Sequence, residues 1–200
     1  MNSRSLSLIL CLALLMVFSG AGRVSSQAGG WSIVPGLRVG PLALNDADSK
    51  AFEVLGKPAA VCVENSPAPL QLSVTELYFP KRGLEVRVKS QKGSAIIMDI
   101  SVSTNLVKTL ADRPRRMVPY RTCTPNGNIR FDAPKNFYFT DRGLGLGATV
   151  QALVGAHGAP LAVRPSGAGN AQSYYYPGIT FIFWNGTLLD IIVRDPAFRP

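Results

Sequence analysis

Two stretches near the C-terminus decide the fold that we expect for this chain. Residues 147–160 read GATVQALVGAHGAP, and residues 175–193 read YYPGITFIFWNGTLLDIIV. In the first stretch, the side chains at positions 150, 153, 154 and 157 share one helical face. Thr149 is a good N-cap, Gly158 supplies a left-handed C-terminal residue, and Pro160 prevents continuation. The first stretch therefore predicts a short helix.

The second stretch predicts antiparallel strands joined by a tight turn. Trp184-Asn185-Gly186-Thr187 is a hairpin signal, because Asn-Gly tolerates the positive φ angles of a type I′ turn. Asn185-Gly186-Thr187 is also an N-glycosylation sequon. The hairpin accounts for these residues without a sugar, and glycosylation of Asn185 is the alternative.

The same order of signals occurs earlier in the chain. We expect Asn45 to cap a first helix, Gly56 to end it, and residues 91–94 (QKGS) to form a hairpin. Matching landmarks follow one another in both halves: Gly40 and Gly147, Pro58 and Pro160, Pro80 and Pro177, and Asp99 and Asp190. This ordered recurrence indicates an internal repeat.

These signals together predict an α+β fold of two tandem units, each a short helix packed on an antiparallel β-sheet with hairpins. The expected organisation is a signal peptide at 1–28, a first unit at 31–103, a basic Pro-rich connector at 104–136, a second unit at 137–194 and a tail at 195–200. Within the connector, we expect a short helix from Asn105 to Asp112.

The N-terminus predicts export. Arg4 precedes an apolar run from Leu6 to Phe18, which is too short to span a bilayer but suits a secretory signal. Ser26-Gln27-Ala28 offers small residues at a cleavage site, so we expect cleavage after Ala28, with an uncleaved anchor as the alternative. Cys11 lies inside the apolar run, where it is not a lipidation site. The chain is therefore expected to be periplasmic or secreted.

Export also bears on the two remaining cysteines. Cys62 and Cys123 would lie in an oxidising compartment, where an even pair predicts a disulfide. Such a bridge would hold the connector against the first unit. The alternative is that both cysteines are buried or unpaired.

The chain is basic, with a formal net charge of +9. Basic charge favours anionic lipid, polysaccharide or nucleic acid, and export argues against nucleic acid. The connector concentrates positive side chains, and Arg113, Arg115, Arg116 and Arg121 are the candidate residues for a weak anion-binding patch. The alternative is that the connector is a solvated linker.

A family resemblance follows from the second unit. The run from Leu146-Gly147-Ala148-Thr149-Val150 through Gly158-Ala159-Pro160, leading into a tyrosine-rich strand and a hairpin, resembles the repeat of the β-lactamase-inhibitor-protein-like fold. It also resembles the related domains of small outer-membrane assembly lipoproteins. The resemblance implies two units whose concave sheet holds a partner protein. The chain departs from the pattern, because it lacks a lipidated cysteine and has Pro41 where the repeat would have threonine.

Catalytic chemistry finds little support in the sequence. His157 is the only histidine and aligns with Leu55, which indicates a packing position. Asp99 and Asp190 lie at equivalent positions among apolar residues, which favours a structural role over an acid/base pair. The glycine run at 143–147 lacks the lysine of a phosphate loop. We therefore expect no catalytic residue, no cofactor and no metal ion.

Strand faces point instead to an interaction surface. Leu84, Val86 and Val88 alternate with Glu85, Arg87 and Lys89, which predicts one buried and one solvated face. The matching strand places Ile179, Phe181 and Phe183 on one face, and Tyr176, Thr180, Ile182 and Trp184 on the other. This second face is largely apolar, and the first unit, the connector or a partner must cover it.

These observations lead to one functional hypothesis and one alternative. We expect a non-catalytic, exported protein-interaction or scaffold protein of the cell envelope, which binds another envelope or secreted protein. The candidate contact residues are Tyr174, Tyr176, Ile182 and Trp184. The alternative is a binder of anionic polysaccharide or a membrane surface through the basic patch.

Overall fold

The computed structural model describes residues 30–66, 72–112, 120–134, 136–166 and 169–198. The predicted signal peptide lies outside these residues. Among the described residues, 56% are in strands and 12% in helices, and there are two α-helices. The predicted α+β class is therefore wrong, and the chain is mostly β.

The elements follow one another along the chain in this order: β1 (Trp31–Val34), β2 (Arg38–Val39), β3 (Leu42–Ala43), α1 (Asp48–Leu55), β4 (Ala60–Asn65), β5 (Ser73–Phe79), β6 (Leu84–Gln91), β7 (Ser94–Leu110), β8 (Tyr120–Thr124), β9 (Gly127–Asp132), β10 (Tyr138–Thr140), α2 (Val150–His157), β11 (Ala162–Pro165), β12 (Ala171–Tyr176), β13 (Ile179–Trp184) and β14 (Thr187–Arg194). A single 3-10 turn, Pro80–Arg82, links β5 to β6.

Ten of these strands form the large sheet. Its order is β11-β12-β13-β14-β7-β6-β5-β4-β8, and β9 pairs with β7 beside this path. Strands β4 to β7 and strands β11 to β14 are two antiparallel meanders, joined edge to edge where β14 pairs with β7. The remaining four strands form the small sheet, in the order β10-β1-β2-β3.

The main core lies between one face of the large sheet and a layer formed by the small sheet and both helices. Ile33 and Leu42 of the small sheet, Ala51 of α1 and Leu153 of α2 are inaccessible to solvent, as are the apolar residues of β6, β7, β13 and β14 that they face. Both halves of the chain thus share one core and one sheet. This continuity, with helices of only eight residues each, is why two separate helix-on-sheet units do not form.

The sequence predicts both ends of α2 correctly, but for α1 it predicts only the C-terminal end. The Thr149 hydroxyl accepts a hydrogen bond from the Ala152 N–H at 3.2 Å, so the predicted cap is confirmed. The predicted cap at Asn45 is wrong, because α1 begins after Ala47 and has no side-chain cap. Asn45 instead adopts a left-handed φ of 69° and donates its N–H to the Ile97 carbonyl. Both helices end at the predicted glycines, Gly56 and Gly158.

Both predicted hairpins are confirmed. Trp184 pairs with Thr187, and the two turn residues Asn185 and Gly186 have positive φ angles of 48° and 76°. Gln91 pairs with Ser94 in the same way. The Asn185 side chain accepts a hydrogen bond from the Asn170 amide at 3.0 Å.

The predicted helix from Asn105 to Asp112 is wrong, because β7 continues as a strand to Leu110. Residues 104–110 of β7 pair with β9, and we call this two-stranded element the ribbon. Its side chains alternate between inward and outward: Leu106 packs inward and Val107 is exposed. This period of two favours a strand, and a short apolar segment does not distinguish it from a helix.

A second, smaller core lies between the ribbon and the opposite face of the large sheet. It includes Tyr78 of β5, Leu110 and Phe131 of the ribbon, and the two cysteines. Cys62 and Cys123 are direct neighbours on β4 and β8 and form a disulfide, which confirms the predicted pairing. A disulfide is compatible with an exported protein. The predicted boundaries at 103 and 137 stay predictions.

Candidate functional site

A groove opens on the large-sheet face opposite the main core. It has a volume of about 640 Å³ and runs between the ribbon and strands β13 and β14. Leu106, Val107 and Lys108 line the ribbon side, and Ile182 and Trp184 line the β13 side. Ionisable side chains of β5, β6, β7 and β14 complete the lining. The site is therefore an open trough with a charged floor and partly apolar walls.

The floor carries a row of alternating charges. Cross-strand register makes Glu76, Arg87, Asp99 and Arg194 successive neighbours on β5, β6, β7 and β14. Arg87 donates to the Asp99 carboxylate at 2.7 Å, and its Nε lies 3.8 Å from Glu76. Opposite charges placed directly across strands stabilise a sheet. This row fixes the long side chains of the floor in place.

Arg121, a predicted anion-binding residue, is engaged with an acid of its own sheet. Its guanidinium donates to Glu76 at 2.5 Å and to the Tyr78 hydroxyl at 3.1 Å. Burial lowers the pKa of Arg121, but Glu76, Tyr78 and Glu64 together outweigh burial and leave that pKa raised. Burial raises the pKa of Tyr78, whose hydroxyl donates to Glu76 at 2.8 Å. The other three predicted anion-binding arginines, Arg113, Arg115 and Arg116, lie outside the described residues.

Glu85 shows that the expected solvated face of β6 is partly enclosed. Its side chain is only 4% exposed, because the ribbon passes over it and Lys108 of the ribbon forms an ion pair with it. The prediction that this face is open to solvent is thus wrong at Glu85. The apolar face of β6 is buried as predicted, at Leu84, Val86 and Val88.

Asp190 lies deep in the groove floor without a basic partner at ion-pair distance among the described residues. The Ser103 hydroxyl donates to its carboxylate at 2.9 Å. Burial raises the pKa of Asp190 to about 6, against the opposing effects of Lys108 and of the Ser103 hydrogen bond. A carboxyl group with such a pKa exchanges protons near neutrality. Chemistry would also need a second reacting group at hydrogen-bond distance that a substrate can reach, and the Ser103 side chain is only 1% exposed.

His157 does not supply that group. It lies on the core side of the large sheet, where its ring packs against Tyr176 and Phe181 at centroid distances of 5.7 and 5.1 Å. Its Nε2 is 3.3 Å from the Thr140 hydroxyl. Burial, and then the charge of Arg142, lower the pKa of His157. Among the described residues, no three His, Cys, Asp or Glu side chains are placed to hold a metal ion.

The four predicted contact residues fall on two faces. Ile182 and Trp184 line the groove, and Trp184 is 45% exposed. Tyr174 pairs with Phe181 and Tyr176 pairs with Ile179, so both tyrosines belong to the core face. The prediction that Tyr176 shares a face with Ile182 and Trp184 is therefore wrong. The prediction continues one alternation from Tyr176 into β13. The two-residue turn Pro177-Gly178 instead starts a new alternation at Ile179.

Both tyrosines have roles inside the fold. Tyr174 is buried in the main core, with its hydroxyl donating to Gln172 at 2.9 Å. The Tyr176 hydroxyl donates to the Gly158 carbonyl at 2.8 Å, which ties the end of α2 to β12. Sequence reasoning missed Ile192 and Arg194 of β14, which line the groove beside Ile182. Their alternation with Ile191 and Val193 was the signal that could have found them.

The comparisons with known proteins add no family. No family model, no curated protein and no solved structure matches this chain. The resemblance to the β-lactamase-inhibitor-protein-like fold stays a prediction. Within the described part of the chain, no helix has both the length and the apolar character needed to cross a membrane.

Proposed function

We propose that this chain is a non-catalytic exported protein that binds another envelope or secreted protein in the groove. One observation carries the proposal: Trp184 is 45% exposed at the groove wall, next to Ile182 on the same strand face. A large aromatic side chain gains most when a partner covers it, and aromatic residues dominate interface energies. Both side chains stand on a paired strand, so little conformational entropy is lost on binding.

The chemistry of the floor supports binding over catalysis. Glu76, Glu85 and Asp99 are each held by a basic side chain through ion pairs. A carboxylate in such a pair is poorly available as a base or nucleophile. A groove with an ion-paired floor and apolar walls suits recognition. The charges of the floor fix the register of a bound partner, and the apolar walls supply affinity.

The compartment follows from two features. The predicted signal peptide directs export, and the disulfide persists in an oxidising environment. We infer a periplasmic or secreted location from the two together. The alternative function, binding of an anionic polysaccharide or membrane surface, is supported by the net charge of +9, and the one described arginine of its patch is engaged with Glu76.

Partner capture tests the proposal. The immobilised chain is incubated with native envelope extract, and a reproducible bound protein is then purified and titrated directly. We expect Trp184→Ala to weaken its binding at least tenfold. The matched control is Leu37→Ala, which removes an apolar side chain that is 52% exposed and outside the groove. Circular dichroism verifies that both variants fold.

Two results would overturn the proposal. One is unchanged partner binding by Trp184→Ala. The other is binding only to anionic polymer or lipid, which disappears at moderate ionic strength and therefore reports surface charge.

A further inference from the structure

Arg194 differs from the other cations of the groove. Arg87 and Lys108, which also line the groove, each form an ion pair with a carboxylate of the large sheet. Arg121 of β8, which is not part of the groove lining, does the same. Within the described residues, Arg194 has no ion pair, although it is the cross-strand neighbour of Asp99. Asp99 is already taken by Arg87 at 2.7 Å. Arg194 is thus the cation at the end of the charge row whose guanidinium lacks an acid.

The surroundings of Arg194 leave its donors available to a ligand. The Phe198 ring stacks on the guanidinium, with its centroid 4.5 Å from Cζ. Stacking occupies the face of a guanidinium and leaves the N–H donors in its plane free to form hydrogen bonds. The side chain lines the groove. Its buried Nε has no hydrogen-bond partner, a property that it shares with the Nε atoms of Arg87 and Arg121, so the terminal N–H groups are the donors that a ligand would meet.

A comparison with Arg121 shows what Arg194 lacks. Both arginines are partly buried on the same side of the large sheet, and burial lowers the pKa of each. For Arg121, Glu76, Tyr78 and Glu64 together outweigh burial, and its pKa ends above the usual value. For Arg194, burial prevails over Asp99 and its pKa ends below the usual value. A carboxylate placed beside the Arg194 guanidinium would supply the opposite charge that offsets the cost of burying this cation.

Apolar side chains continue from Arg194 along the groove. Ile192 lies two residues before Arg194 on β14, and Ile182 pairs with Asp190, a further two residues along. At about 3.3 Å per residue, Asp190 lies about 13 Å along β14 from Arg194, and Ile182 lies beside Asp190 on the neighbouring strand β13. An extended peptide places its side chains i, i+2 and i+4 on one face at the same spacing. The groove therefore matches a strand-like segment with an acid at one end and apolar residues after it.

We propose that the groove binds an extended segment of a partner polypeptide. An acidic side chain of this segment pairs with Arg194. The apolar side chain two residues away packs on Ile192, and the one four residues away packs on Ile182 and Trp184. The inference rests on the proposed function and specifies the chemistry of the partner. A carboxylate offers the planar, bidentate acceptor that a guanidinium prefers. A single carboxylate in register with apolar neighbours distinguishes this ligand from a uniformly charged polymer.

Two synthetic peptides test the inference on the whole chain. The first is acetyl-Asp-Ser-Leu-Ser-Phe-amide, and the second has Asn in place of Asp. Binding is followed by NMR through the indole N–H of Trp184 and the Nε–H of Arg194. We expect the Asp peptide to bind at least tenfold more tightly than the Asn peptide. Equal affinity of the two peptides for the unmodified chain would overturn the inference, and this comparison requires no variant.

Variants assign the preference to Arg194. Arg194→Gln is expected to remove the tenfold difference, so that the Asp and Asn peptides bind this variant with the same affinity. The control, Arg38→Gln, removes a charge from the exposed surface of the small sheet and should retain the difference. A tenfold preference that survives in Arg194→Gln overturns the inference. Binding of phosphatidylglycerol vesicles but not of the Asp peptide, dependent on Arg194, overturns it by assigning the anion site to lipid.

The inference and the proposed function fail in different ways. Loss of binding to the purified partner in Trp184→Ala, with no preference for the Asp peptide, removes the inference and keeps the proposed function. Unchanged binding to the partner in Trp184→Ala removes both.

Discussion

Replacing Asp190 by asparagine should stabilise the folded chain at neutral pH, although Asp190 is buried and hydrogen-bonded. Burial raises the pKa of Asp190 from 3.8 to about 6. One pKa unit corresponds to about 1.4 kcal/mol, so the ionised form costs the folded state about 3 kcal/mol above pH 6. Asparagine is neutral and keeps a carbonyl oxygen to accept the Ser103 hydrogen bond. We expect a gain of about 1–3 kcal/mol at pH 7.5.

The sign of the pH dependence follows from proton binding. Between about pH 4 and pH 6, the folded state retains the Asp190 proton that the unfolded state has released. Stability contributed by this residue is therefore present at low pH and is lost as the pH rises through that window. The variant lacks this titration, so the difference in free energy of unfolding should grow from near zero at pH 4 to its full value above pH 6.

Urea unfolding, followed by circular dichroism from pH 4 to pH 8, measures this difference. Asp99→Asn is the matched control, because Asp99 is also a buried aspartate of the groove floor but forms an ion pair with Arg87 at 2.7 Å. Removing that partner should destabilise the chain by about 1 kcal/mol at pH 7.5. The reasoning is refuted if Asp190→Asn is less stable than the unmodified chain at pH 7.5, or if the difference is the same at pH 4 and pH 8.

Two further predictions concern the helices and the histidine. Thr149→Ala should lower the thermal stability by about 1 kcal/mol because α2 loses its cap, whereas Ala47→Ser should raise it by a few tenths to 1 kcal/mol because α1 has no side-chain cap. A melting temperature that does not fall in Thr149→Ala would contradict the first prediction, and one that does not rise in Ala47→Ser would contradict the second. His157 should titrate below its usual pKa of 6.5, since burial and then Arg142 lower its pKa, and its contribution to stability should fall as the pH drops below 6.5. It is the only histidine, so one imidazole resonance in an NMR titration reports it, and Arg142→Gln should move the midpoint upward; a midpoint at or above 6.5 in the unmodified chain would contradict the prediction.

Local features were accessible from the sequence because nearby residues determine them. Thr149 caps α2 through a hydrogen bond three residues away, and the Asn185-Gly186 turn needs only the φ preferences of two residues. The disulfide could also be predicted, since the predicted cleavage after Ala28 would remove Cys11 and leave two cysteines with one possible pairing. The cap at Asn45 failed because a long-range hydrogen bond from its N–H to Ile97 places this residue in a turn before α1.

The fold class failed because the signals of the helices are easier to recognise than those of the strands. The two short helices have clear stops at Gly56 and Gly158, and α2 has a clear cap at Thr149. Residues 104–110 of the ribbon instead carry mixed polar and apolar side chains among basic residues. Those residues form a strand because β9 supplies hydrogen-bond partners and because Leu110 and Phe131 bury themselves over Tyr78. Pairing partners far apart in sequence decide such a strand.

The groove depends on register, which the sequence does not determine by itself. Asp99 and Asp190 looked equivalent, yet Asp99 faces Arg87 across β6, whereas Asp190 faces Ser103 and Ile182. A shift of one residue would have moved every side chain of β14 to the other face. The same register separates Ile182 from Tyr176, and it brings Arg194 beside an acid that is already paired. Because a site of this kind arises from which side chains oppose one another, two aspartates in similar apolar sequence contexts can have different partners, an arginine for Asp99 and a serine for Asp190.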